Sequence, residues 1–109
     1  MDERRHAQRI PVNLNAKIIS EGNVFDGYIE NMSEDGLEYY MTSFVSASKD
    51  FFSKKSIDIQ FQSSSGELIS LACELIWFLE TVSEEKALLL GMKIINPPLT
   101  FKELVKRLN

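Results

Sequence analysis

Ile57-Asp58-Ile59-Gln60-Phe61-Gln62-Ser63-Ser64-Ser65-Gly66-Glu67-Leu68-Ile69-Ser70-Leu71 is the stretch that decides the fold. Its first six residues alternate apolar and polar, the two-residue period of a strand with one buried face. Ser63 to Gly66 is a hairpin loop. The alternation then resumes in a strand from about Leu68 to Leu79, with Ile69, Leu71, Cys73, Leu75 and Trp77 expected on one side.

The same period extends in both directions. Downstream, residues 86–95 place Leu88, Leu90, Met92 and Ile94 inward. Upstream, Leu37, Tyr39 and Met41 mark one face of a strand that follows the turn Ser33-Glu34-Asp35-Gly36. Phe25 to Met32 is the strand before that turn, with Gly27 as a candidate bulge. Its phase does not close: Phe25 and Ile29 share a face with Asn31, while Met32 falls on the other. The turn Glu21-Gly22-Asn23 joins it to a first strand whose apolar residues are Val12, Leu14, Ala16 and Ile18. Residues 42–54 lose any period and are expected to form a long connection. There Phe44, Phe51 and Phe52 are divided between core burial and a partner surface.

The chain closes with a helix of about residues 100–108. Pro97-Pro98 stops the last strand, and Thr100 with Glu103 has capping-box spacing. Leu99 with Leu104 has the spacing of a hydrophobic staple. Phe101, Leu104, Val105 and Leu108 then follow the amphipathic rule, with Lys106 and Arg107 at the negative end of the dipole. Six short strands and one helix predict an all-β fold, a six-stranded antiparallel barrel with a C-terminal helix. Closure would remove the edges that apolar strands otherwise expose. One domain is expected: a flexible N-terminal arm over residues 1–11, then barrel and helix over 12–109.

Composition narrows the function. The 109 residues are 44% hydrophobic and 26% charged, with net charge −4. A sequence pI near 5.0 counts against a protein that coats nucleic acid polymers. No apolar run is long enough to span a bilayer and no signal-peptide pattern opens the chain, so a cytoplasmic protein without membrane insertion is expected. Cys73 is the single cysteine, which suits a reducing compartment.

Enzymatic readings find no support. The sole histidine, His6, lies in the arm, and no second histidine or cysteine stands at metal-ligand spacing. A Ser-His-acid triad would have to recruit it. The glycines occur singly between strands, unlike a phosphate-cradling loop. Glu34 and Asp35 read as solvated turn residues. No catalytic residue, metal or cofactor is expected.

Two polar patterns remain. Arg4, Arg5 and Arg9 crowd the start of an otherwise acidic chain, with Arg5 and Arg9 spaced as R-x-x-x-R. Each guanidinium is a planar fork that fits phosphate oxygens and the O6/N7 edge of guanine. A solvated chain end is the competing reading. The second pattern, Asn31-x-Ser33-x-x-Gly36, is by itself common turn chemistry.

Together, in this order and in a six-strand pattern, the motifs resemble those of the PilZ domain family, small bacterial receptors for cyclic di-GMP. Asp2-Glu3-Arg4-Arg5 resembles the lead-in of stand-alone members, and Leu90-Gly91-Met92-Lys93-Ile94-Ile95 resembles the family's last strand. The resemblance implies a six-stranded barrel and a cyclic di-GMP site. Arg5 and Arg9 would grip guanine edges and phosphates, with Arg4 assisting. Asn31 would meet a guanine base, Ser33 would add a polar contact, and Gly36 would permit the turn. Asparagine here lacks the negative charge that guanine N1–H and N2–H₂ donors favour. Trp77 stands where some members stack a guanine; packing in or on the barrel is the other reading of that ring.

The resemblance further implies a monomer or weak dimer signalling to an unidentified downstream protein. A ligand-independent adaptor is the alternative. A barrel binding single-stranded nucleic acid would need a basic groove with interleaved aromatics, which the acidic composition opposes.

Overall fold

A computed structural model describes residues 9–20, 22–42, 56–80 and 87–108. Arg4, Arg5, His6 and the phenylalanines of the 42–54 connection lie outside the described residues. Six strands form: β1 (Ile10–Ser20), β2 (Asn23–Met32), β3 (Gly36–Met41), β4 (Ile57–Gln62), β5 (Leu68–Glu80) and β6 (Leu88–Ile95). They close into an antiparallel barrel in the order β1-β2-β3-β6-β5-β4. One helix, α1 (Leu99–Leu108), follows. Ile10 and Pro11, assigned to the arm by the sequence, are strand residues opposite Met32 and Asn31.

The alternation seen in the sequence fills the interior. Ile18, Ile29, Leu37, Ile59, Leu71 and Leu90 are buried there. Phe101, Leu104 and Val105 of α1 join the same core. The Lys102 amide donates to the Pro98 carbonyl at 3.0 Å, so Pro98 holds the N-cap position and Leu99 opens the helix. Thr100 is therefore inside the first turn rather than capping it. Leu99 is 69% exposed, which rules out the staple with Leu104. Asn96, in the left-handed region at φ 48°, turns the chain from β6 toward α1.

Tyr39 ties three strands together from inside. It is fully buried, and its hydroxyl donates to the Ala16 carbonyl at 2.8 Å, with the Phe25 carbonyl at 3.3 Å. Burial, reinforced by Asp26, pushes its ionisation far above the ordinary tyrosine range. The ring lies beside Gly27, where a Cβ would collide with the Tyr40 carbonyl and stand 2.7 Å from both ring Cζ and hydroxyl. Gly27 is thus a seat for an aromatic ring and not a bulge, pairing in register with Ala16 and Met41.

The bulge demanded by β2 sits three residues later. Ile29 faces Tyr39 and Asn31 faces Glu38, which leaves Glu30 as the inserted residue. A second irregularity inserts Ile76 into β5, between Leu75 opposite Met92 and Trp77 opposite Gly91. These two insertions set the outer face of the barrel.

Candidate ligand-binding site

Residues directly opposite in an antiparallel ladder project from the same face. Asn31, Glu38, Gly91 and Trp77 are consecutive partners across β2, β3, β6 and β5. Leu37 and Tyr39 flank Glu38 and are buried inside, so this row lies on the outside. Both insertions are required for it. Were Glu30 a regular ladder residue rather than an insertion, Asn31 would fall on the inward face, out of phase with Glu38. Were Ile76 regular, Trp77 would share the inward face of Ile69, Leu71 and Cys73, as the simple alternation predicts. Trp77 is instead 39% exposed on the outer surface.

Its indole lies across Gly91. A Cβ built there would collide with Nε1 and Cε2 and would stand 2.7 Å from Cζ2. The glycine therefore leaves room for the ring over β6, on the row that continues to Glu38 of β3.

At the other end of the row stands Arg9, immediately before β1. Its Nη1 donates to Asn31 Oδ1 at 3.1 Å and lies 3.7 Å from Glu38 Oε2. Asn31 Nδ2 in turn donates to Glu38 Oε1 at 3.0 Å. The amide orientation follows from its neighbours: guanidinium only donates and carboxylate only accepts. The Arg9 and Glu38 side chains are 41% and 28% exposed. Such a solvated pair contributes less than about 1 kcal/mol, so Arg9 can exchange it for another anion at little cost.

Gly36 faces this guanidinium. A Cβ there would stand 3.3 Å from Arg9 Nη2 and 3.1 Å from the Met92 carbonyl. Positive φ among the described glycines belongs to Gly22 and Gly66. Gly36 is thus needed for close approach and not for a left-handed turn. Lys93, opposite Gly36 on the same outer face, adds a cation.

Ser33 is placed differently. It is only 2% exposed. Its hydroxyl donates to Asp35 Oδ1 at 2.9 Å, with the Gly36 carbonyl more distant at 3.4 Å. Its amide donates to the Gly36 carbonyl at 2.8 Å, and the Ile94 amide donates to the Asp35 carbonyl at 2.9 Å. Ser33 holds the turn together, and the turn is tied to β6.

Of the residues singled out by sequence, Arg9, Asn31 and Gly36 come together, with Trp77 two strands from Glu38. Ser33 supports them from beneath. Glu38, Asp35 and Gly91 were missed. The outward phase of Glu38 was legible from Leu37, Tyr39 and Met41, but its pairing with Asn31 depends on the bulge. A shallow cleft of about 490 Å³ adjoins the row on the β1 side, lined by Arg9, Tyr28, Glu30 and Asn31 among others. A larger concavity of about 950 Å³ surrounds Lys17 and Asp26 and includes none of the expected site residues. Those two form an exposed ion pair at 2.8 Å. Among the described residues, no group of three or more His, Cys, Asp or Glu is placed to hold a metal. No described helix is long and apolar enough to cross a membrane.

Comparison with solved structures finds the same barrel elsewhere. The inhibitor of motility MotI/DgrA of Bacillus subtilis matches 97% of this chain and 49% of its own at 15% identity, with TM-score 0.73. PlzA of Borreliella burgdorferi, in complex with c-di-GMP, matches over 96% and 50% at 15% identity, TM-score 0.74. The PilZ domain of YcgR from Escherichia coli, with c-di-GMP, matches over 96% and 88% at 13% identity, TM-score 0.70. This chain therefore spans about half the length of the first two. No curated protein sequence matches it. The model of the PilZ domain matches residues 3–109, essentially the whole sequence. The chain belongs to the PilZ domain family.

Proposed function

We propose that this chain is a non-enzymatic receptor for cyclic di-GMP that signals to a protein partner. The observation that carries the reading is the outer row itself: Arg9, Asn31 and Glu38 in contact, with an exposed indole beyond Gly91. A dianionic ligand with two purines needs cationic forks and a flat apolar platform, and the row offers both. Two of the structural neighbours hold c-di-GMP, which favours this ligand over other anions.

In this proposal Arg5 and Arg9 of the R-x-x-x-R motif grip phosphates and guanine edges, and Arg4 assists. Asn31 bonds a guanine, and Trp77 stacks on one. Ser33 and Gly36 act through the turn, one by its hydroxyl and the other by lacking a Cβ. The arm ahead of β1 orders over the ligand, and the barrel that begins at Ile10 carries the altered surface to an unidentified partner. The protein works in the cytoplasm as a monomer or weak dimer, without metal, cofactor, nucleic acid polymer or membrane insertion.

Isothermal titration of the parent and of Arg5→Ala with cyclic di-GMP tests this. Micromolar binding, about −8 kcal/mol, is expected for the parent and none in that range for the variant. Equal titrations of both would reject the assignment.

One observation favours a ligand-independent adaptor as a second reading. Ile76 and Leu79 are 57% and 60% exposed on either side of Trp77, an apolar strip suited to protein contact. A parent protein that ignores cyclic di-GMP throughout the titration would support it.

A further inference from the structure

Glu38 belongs to neither motif, yet it occupies the middle of the outer row. It stands between Asn31 on β2 and Gly91 on β6. Each lies one strand spacing away, about 5 Å. On the Asn31 side its Oε1 accepts from Nδ2 at 3.0 Å. On the Gly91 side stands the edge of the Trp77 ring. A purine lying on that indole would direct one edge toward β3, and the side chain met there is a carboxylate.

The donor pattern of guanine decides what that means. Its N1–H and N2–H₂ groups point the same way and together match two carboxylate oxygens. Adenine offers an acceptor, N1, at the corresponding place, which a carboxylate repels. Hypoxanthine keeps N1–H and lacks the exocyclic amine. Asn31 offers this two-donor edge only one acceptor and no charge. That oxygen is bonded to Arg9, and its amide nitrogen to Glu38 itself.

We propose that Glu38 is the specificity-determining residue of the site, reading the N1–H/N2–H₂ edge of a guanine stacked on Trp77. Asn31 is its positioning neighbour. The amide bond to Oε1 fixes the carboxylate, while Arg9, 3.7 Å from Oε2, is released to the ligand's phosphate. The charge absent from an asparagine at position 31 is thus restored from the adjacent strand. This rests on the cyclic di-GMP reading above and adds to it a residue outside both motifs.

The test titrates the parent, Glu38→Gln and Glu38→Asp with cyclic di-GMP, cyclic di-IMP and cyclic di-AMP, with folding followed by circular dichroism. The partly exposed position suits the isosteric glutamine. The parent is expected to bind cyclic di-GMP at least tenfold more tightly than cyclic di-IMP, and cyclic di-AMP more weakly still. Glu38→Gln should lose tenfold or more for cyclic di-GMP and much less for cyclic di-IMP, collapsing the ratio. Glu38→Asp, which keeps the charge, should retain part of it. Should Glu38→Gln fail to fold, the Glu38→Asp ratios decide alone. A Glu38→Gln protein that keeps the parent's ratio, or binds more tightly because Arg9 is freed, would overturn the proposal and leave the receptor reading intact. A parent that binds none of the three nucleotides removes both.

Discussion

The indole of Trp77 lies over Gly91, filling the space a Cβ would take. Trp77 is the only tryptophan in the chain, so its emission reports on this one contact. Gly91→Ala should displace the ring and shift the emission of the free protein to the red. An unchanged spectrum would mean that the ring does not rest on the glycine.

Trp77→Ala should weaken cyclic di-GMP binding by roughly 5- to 150-fold, the value of one base stacked on an aromatic. The ring is 39% exposed and contributes modestly to the core, so the melting temperature should fall little. Titration and thermal melting of the same sample separate the two effects. Saturating ligand should also quench the parent's fluorescence.

Gly36→Ala should impair the site more than the fold. The added methyl meets the Met92 carbonyl at 3.1 Å and the Arg9 guanidinium at 3.3 Å, and no left-handed backbone is involved. A stability loss of roughly 1 kcal/mol is expected from this tight contact. Binding should weaken more than tenfold because Arg9 is pushed away. Chemical denaturation beside calorimetry checks both.

Tyr39→Phe removes a hydroxyl that bonds the Ala16 carbonyl from inside the barrel. About 1–2 kcal/mol of stability should be lost, measured by urea denaturation. The parent should also weaken in alkali. Burial first, then Asp26, holds Tyr39 neutral in the fold. Its stabilising contribution is complete below the ordinary tyrosine pKa near 10 and declines above it. Tyr39→Phe should flatten that decline.

Cys73 is buried, and burial, with Asp58 adding, pushes its thiol from 9.0 up to about 12. The native protein should therefore resist thiol reagents at pH 8 and react fully in denaturant. A raised acid favours the folded state only while protonated. Its contribution is intact below about pH 9 and lost toward pH 12. Rapid labelling at pH 8 without denaturant would contradict this burial.

The barrel was legible because each strand repeats one signal, apolar side chains at alternate positions. Ile57, Ile59 and Phe61 did not depend on any other strand to be read. The site was harder, since two insertions shift the alternation. Asn31 was flagged by its motif and by the unresolved phase of its strand, but nothing local put the insertion at Glu30. Gly27 is the better local candidate for a bulge, and only its in-register pairing and the packing of Tyr39 beside it exclude one. Alternation alone groups Trp77 with Ile69, Leu71 and Cys73, because Ile76 carries no local mark of an insertion. Glu38 was overlooked because its role belongs to the pairing of β2 with β3. Likewise, the Thr100 box gave way to Pro98 because capping depends on which carbonyl accepts the first bond.

The insertion at Glu30 has a consequence for how such a site could be lost. A slip that drew Glu30 into the regular ladder, opposite Glu38, would leave every motif letter in place while turning Asn31 inward opposite Leu37. Selection or drift could then silence the surface by substitutions that favour the unbulged strand, which motif inspection would overlook. Related barrels that keep both motifs yet ignore nucleotide are worth checking for strand register before their side chains are blamed.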